Sequence, residues 1–212
     1  MFGPIRTLCF AAGLYLPLSL FLWFAFAAAV VTPVLWLSKA LLLGWMPEIF
    51  VDIERNQYVF NVLSSLVAQT EPGKQLVVDF TINPMIYGYG LPVIAGLALA
   101  TPNSTATRLR QIIIGALVIW LVQVNGVLWD VLQYANSTLA GGAAAIAKHH
   151  LSPTFLALMY QFGYLILPPL TPVVLWALMN RKFIDNLIQL DHIQSFDEAA
   201  EDAAPGKNEA AP

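Results

Sequence analysis

Few side chains in this sequence could do chemistry, and they lie far apart. Asp130 stands late in a long apolar run, in the segment Asn125-Gly-Val-Leu-Trp-Asp-Val-Leu-Gln-Tyr134. A carboxylate at the centre of a bilayer costs about 2.5–3.5 kcal/mol on insertion scales, and much less near the interface. Gln123 and Gln133 are seven and three residues from Asp130, so on a helix the three share one face. Tyr160, Gln161 and Tyr164 lie in the last apolar run, with the tyrosines one turn apart. Two readings fit this set. In one, polar side chains hydrogen-bond inside a helix bundle. In the other, they line an intramembrane polar site around Asp130 that binds a ligand or handles protons. His149 and His150 are adjacent, so they point in different directions, and they lack the spacing of a His-Glu-x-x-His metal motif. A solvated pair at the interface is the plain reading, because a metal site would need carboxylates from elsewhere. The lone Cys9 excludes an intrachain disulfide and a multi-cysteine zinc site. No Ser/His/Asp or Cys/His arrangement is visible. These residues therefore argue for no catalytic group, no metal and no cofactor.

The most distinctive string is Asn83-Pro84 followed by Tyr87-Gly-Tyr-Gly-Leu-Pro92. It joins a strand-like segment directly to an apolar run. Its glycines do not have the GxGxxG spacing of a phosphate loop. Proline and glycine can end the strand, start the helix and let backbones approach closely. The same string also offers a docking or assembly element made of Asn83, Pro84, Tyr87, Gly88, Tyr89, Gly90 and Pro92.

The elements that must position these residues follow from composition. Hydrophobic residues are 58% of the 212 and charged residues 11%, against about 45–50% and about 25% in soluble domains. The excess sits in uncharged runs long enough to span a bilayer. The expected fold is an α-helical integral membrane protein with four transmembrane helices. Residues 1–44 hold the first, which runs from Phe10 to about Leu37. Pro17 and Pro33 are candidate kinks, and an interfacial extension to Leu43 carries Trp36, Trp45 and a snorkelling Lys39. Residues 45–84 alternate apolar and polar side chains in three stretches. Turns at Glu54–Gln57 and Glu71–Lys74 make them an antiparallel β meander of about three strands, between helices 1 and 2. Residues 85–182 hold the other three spans, at about Met85–Ala100, Ile112–Tyr134 and Thr154–Met179. The last is broken by Pro168, Pro169 and Pro172. Thr101–Gln111 reads as a polar loop, and Asn136–Pro153 as a loop with a short interfacial helix. Residues 183–212 form an acidic, largely disordered tail. It supplies most of the net charge of −3, and no basic stripe points to nucleic acid. Arg6, Arg108, Arg110, Arg181 and Lys182 fall on one side of the spans, which places both termini in the cytoplasm and the meander outside.

The string Ile82-Asn-Pro-Met-Ile-Tyr-Gly-Tyr-Gly-Leu-Pro92 resembles the hallmark of the exosortase H-associated membrane proteins. So do the preceding strand, the layout of apolar runs and the proline-rich segment Tyr164–Trp176. The likeness extends to about Leu187. It implies a bacterial inner-membrane accessory protein, multi-pass, whose partners besides the lipid bilayer are an exosortase or the sorting tail of its substrate. Exosortases are transpeptidase-like enzymes, and their Cys/Arg/His chemistry has no counterpart here. The family's accessory members have no assigned catalytic residues, so none carries over. The alternatives from the residues alone are a small-molecule or lipid-handling membrane protein built around Asp130, perhaps an enzyme, and a structural subunit of an envelope complex.

Overall fold

The computed structural model describes residues 4–67 and 77–189. The expected turn at Glu71–Lys74 and most of the C-terminal tail lie outside the described residues. The N-terminal apolar run forms two helices instead of one, α1 (Pro4–Ala25) and α2 (Ala27–Trp45). Pro17 and Pro33 sit inside these helices, and the break falls between them at Phe26, which leaves helical geometry (φ −102°, ψ 20°). Each half follows a different neighbour. α1 packs on α4 (Gly90–Ala100), and α2 packs on α5 (Thr105–Thr138). Laid end to end, α1 and α2 reach roughly 60 Å, about twice the ~30 Å hydrocarbon layer.

The meander is present, but it follows the second long helix rather than the first. Strands β1 (Phe50–Asn56), β2 (Val59–Val67) and β3 (Val77–Ile82) pair antiparallel in the order β1-β2-β3. The first hairpin is tighter than the expected turn at Glu54–Gln57. Asn56 pairs with Val59, and Glu54, Arg55 and Asn56 remain in β1. The reversal is made by Gln57 in the left-handed region (φ 57°) and Tyr58. Period-two alternation decides the faces. Ile53, Phe60, Val62, Phe80 and Ile82 are buried, while Glu54, Asp79 and Thr81 are exposed. β1 runs back along α2, and Lys39 does not snorkel to a headgroup. Its ammonium pairs with Asp52 at 2.5 Å. Farther along, Arg55 donates to the Ala28 carbonyl at 2.7 Å.

The chain then forms α3 (Met85–Gly88), α4, α5, α6 (Gly142–Ala147), α7 (Pro153–Gln161), a π-helical turn (Phe162–Ile166) and α8 (Leu167–Met179). Residues 181–189 are helical. α5 begins inside the expected loop, because the Ser104 side chain accepts from the Thr107 N–H and caps the helix start. The last span breaks one turn before its prolines. Pro168 has no N–H, and its ring crowds the carbonyl four residues back, so the helix widens into a π turn there. Four helices are long and apolar enough to cross a membrane: Arg6–Ala25, Ala27–Trp45, Thr105–Thr138 and Pro153–Met179. Met85–Ala100, expected as the second span, is shorter than these and divided at Tyr89.

A polar network closes the end of the bundle where α4 stops, α5 starts and α8 stops. Asn180 Oδ1 accepts from Asn103 at 2.8 Å and from Gln111 at 2.9 Å. Trp176 Nε1 donates to Thr101 Oγ1 at 3.0 Å, and Arg108 Nε donates to the Thr101 carbonyl at 3.1 Å. Replacing Asn180 by Leu leaves two amide donors without that acceptor. It is expected to lower stability by about 1–3 kcal/mol, read as a fall in unfolding midpoint in detergent. At the opposite end, the Lys39 ammonium beside Asp52 holds that carboxyl below the ordinary carboxylate range. The folded state thus favours the ionised form, and the contribution is present above that range and lost as pH falls through the lowered pKa. The pair is partly exposed, so the effect is at most about 1 kcal/mol. Wild type should be more stable than Asp52→Asn at neutral pH and converge with it as pH falls through the lowered pKa of Asp52, below the ordinary carboxylate range, as followed by thermal unfolding across pH.

Candidate functional site

The strand-to-helix junction is the centre of the structure. Asn83 ends β3, and its side-chain oxygen accepts from the Met85 N–H at 3.0 Å, which turns the chain into α3. The Pro84 carbonyl accepts from the Tyr87 N–H at 3.2 Å within this buried turn. Gln123 of α5 reaches across and donates to it from Nε2 at 2.8 Å. The Gln123 amide lies so close to Gly88 that a Cβ there would sit 2.6 Å from Nε2. Tyr87 is fully buried. Its ring lies on the backbone of α5 at Gly126, where a Cβ would meet ring carbons at 2.3 and 2.4 Å. Gly163 of the π turn closes on the same place, with a Cβ 3.3 Å from Asn125 Nδ2 and 3.5 Å from the Gly126 Cα. Gly90 packs on Ile119, the Pro168 carbonyl and the Pro172 ring.

Of the residues expected to form a docking element, Pro84, Tyr87, Gly88, Gly90 and Pro92 are therefore buried inside this chain. Only Asn83 is exposed, with Tyr89 half-buried. These side chains lock α3 and α4 against α5 and α8. The expected surface is reduced to Asn83 and the rim of Tyr89.

The intramembrane polar set divides. Asp130 is half-buried and lies within interaction range of the Tyr87 and Tyr160 phenols. Tyr160 and Tyr164 stack nearly parallel, with centroids 5.9 Å apart, and Tyr164 meets the Tyr87 ring edge-on at 6.2 Å. The Tyr87 hydroxyl has no hydrogen bond of regular geometry, and neither has Gln133 Oε1. Gln123 is on the same face of α5 but bonds the junction. Gln161 is exposed and does not join the group, because it follows Tyr160 by only about 100° around the helix. The cluster is thus Asp130, Tyr87, Tyr160 and Tyr164. Tyr87 was missed as a member because its contact with Asp130 spans more than forty residues of sequence.

His149 pairs with Glu48 in the turn between α2 and β1, and Ser65 of β2 donates to the Glu48 carbonyl. A hydrogen bond from its own backbone and the His149 contact hold the Glu48 carboxyl below the ordinary range. His150 adopts the left-handed region (φ 60°) beside it. Among the described residues, no three His, Cys, Asp or Glu side chains come together as a metal set. Cys9 is exposed on α1.

Apolar helices of spanning length, a small sheet at one end and a buried proline–glycine junction define a helical membrane protein of mixed architecture. The chain belongs to the exosortase H-associated membrane proteins, whose family model matches residues 3–183. No curated protein and no solved structure matches it.

The junction makes a direct prediction. Gly126→Ala places a methyl against the Tyr87 ring and should cost about 1–3 kcal/mol by overpacking. The penalty should shrink when Tyr87 is replaced by Ala in the same chain, in a double-mutant cycle read by thermal unfolding.

Proposed function

We propose that this chain is a non-catalytic accessory subunit of a bacterial exosortase, embedded in the inner membrane with its sheet on the outer side and both termini in the cytoplasm. The family match across residues 3–183 carries this reading. The sheet supplies a mode of engagement. β3 pairs with β2 on one side, and among the described residues no strand pairs with its other edge. An extended sorting-tail segment can add there through main-chain hydrogen bonds. Asp79 and Thr81 on β3 are exposed, and the junction below holds β3 at a set height over the bundle.

The charge pattern supports the orientation. Arg108 and Asn180, the latter just before Arg181 and Lys182, belong to the same closed end of the bundle, opposite the sheet. The sheet runs beside α2 with Asp52 and Arg55 against it, so the reading keeps α2 with the sheet, outside the hydrocarbon. The membrane is then crossed by α1, α4 with the lower part of α5, and α7–α8.

The tagged protein is expected to co-purify with its exosortase in mild detergent. A photo-crosslinking residue at Asp79 should capture the exosortase or a tail-bearing substrate, and one at Phe10 on the opposite half of the molecule should not capture the tail. Absence of both co-purification and crosslink overturns the reading.

A further inference from the structure

We propose that Asp130, Tyr87, Tyr160 and Tyr164 form a binding site for the primary ammonium head of a membrane phospholipid. The proposal does not depend on the exosortase reading. It starts from a carboxyl group with no basic side chain opposite it. Among the described residues the ion pairs are Lys39–Asp52 and His149–Glu48, and Asp130 has no basic partner. A half-buried carboxylate can take a counter-charge from outside the chain, and none of the described residues supplies one.

The groups around Asp130 suit a cation. Tyr160 and Tyr164 are stacked within 4° of parallel, and Tyr87 stands edge-on to Tyr164. Tyrosine faces attract ammonium groups, and the carboxylate adds charge-assisted hydrogen bonds. The Tyr87 hydroxyl is fully buried and close to the carboxylate, with no other hydrogen-bond partner of regular geometry. It is a donor placed to hold the Asp130 carboxylate in position.

Depth and surroundings point to a lipid as the source of the ammonium. Asp130 is nineteen residues along α5 from Gln111, which belongs to the polar network at the other end. That separation is roughly 28 Å, close to the ~30 Å thickness of the hydrocarbon layer. With Gln111 at one headgroup level, Asp130 reaches the other. The mouth is apolar. Tyr164 is 42% exposed, and Leu158, Phe162, Leu165 and Ile166 on the same stretch of helix are exposed as well. Acyl chains can lie on these side chains while the head enters beside Tyr164.

The test uses the full chain, purified and stripped of lipid in a mild detergent. It is titrated with phosphatidylethanolamine, with phosphatidylglycerol, and with soluble glycerophosphoethanolamine. Bound lipid is counted by native mass spectrometry, and the unfolding midpoint is followed in parallel. Wild type is expected to retain phosphatidylethanolamine over phosphatidylglycerol by roughly tenfold, the scale of one well-made polar contact. Asp130→Asn should remove that preference. Tyr164→Leu, at a position 42% exposed where an apolar side chain can still pack beside Tyr87, should weaken it severalfold while the unfolding midpoint shows the chain folded. Equal retention of the two lipids by wild type overturns the proposal, as does a preference that survives in folded Asp130→Asn. Competition by glycerophosphoethanolamine as strong as by the lipid keeps ammonium recognition and overturns the lipid as its source. A crosslink to a protein lysine or arginine that is lost in Asp130→Asn, without any lipid preference, overturns it in favour of a protein cation.

Discussion

A chain that leaves helical geometry inside a bundle must find partners for the backbone groups it exposes, since hydrocarbon offers none. The turn at Asn83–Pro84 meets that constraint with the Asn83 side chain on the Met85 N–H, the Tyr87 N–H on the Pro84 carbonyl at 3.2 Å, and a second bond to that carbonyl from the Gln123 amide of α5 at 2.8 Å. The rest of the junction follows from the closeness of this bond. α5 must come near enough for Gln123 to reach, which requires glycine at 88 and at 126. The vacancy over Gly126 is filled by the Tyr87 ring, and Gly163 lets the π turn close over it. The sheet is carried on this junction, because Ile82 enters it directly and Phe80 stacks on Tyr134 of α5 at 4.3 Å.

The two ends of the bundle are fastened differently. One is held by amides, an indole and the Arg108 guanidinium around Asn180 and Thr101. The other is held by partly exposed ion pairs, Lys39–Asp52 and Glu48–His149, which join α2 to the sheet and to the segment after α6. Exposed pairs contribute little stability but set the register of α2 against β1. The two ends of the bundle are thus fastened by different chemistry on either side of the junction.

Much of this was legible in the residues. Uncharged runs marked the helices, alternation marked the three strands and their buried face, and the string from Asn83 to Pro92 marked the junction and the family. Other features were not legible, for physical reasons. The break at Phe26 carries no local signal, since no proline or glycine stands there and Pro17 and Pro33 ride inside helices. It exists because α1 and α2 pack on different neighbours. The hairpin turned one step later than its polar residues indicated, because pairing carried Glu54 to Asn56 into the strand. Gln161 was grouped with its tyrosines by nearness in sequence, and helix rotation carried it outward.

The sequence by itself determined that this is a helical membrane protein with a small sheet at one end, because hydrophobic run length and side-chain alternation are local properties of the chain. It also determined the family, because the junction string is contiguous. Only the tertiary structure decided what the string does. Tyr87, Gly88 and Gly90 are buried against Gly126, Gln123 and Pro168, so they build the molecule from within instead of forming its docking surface. The tertiary structure also brought Asp130 to Tyr87, Tyr160 and Tyr164. Those contacts join α3, α5, α7 and the π turn across distances in sequence that no local pattern encodes.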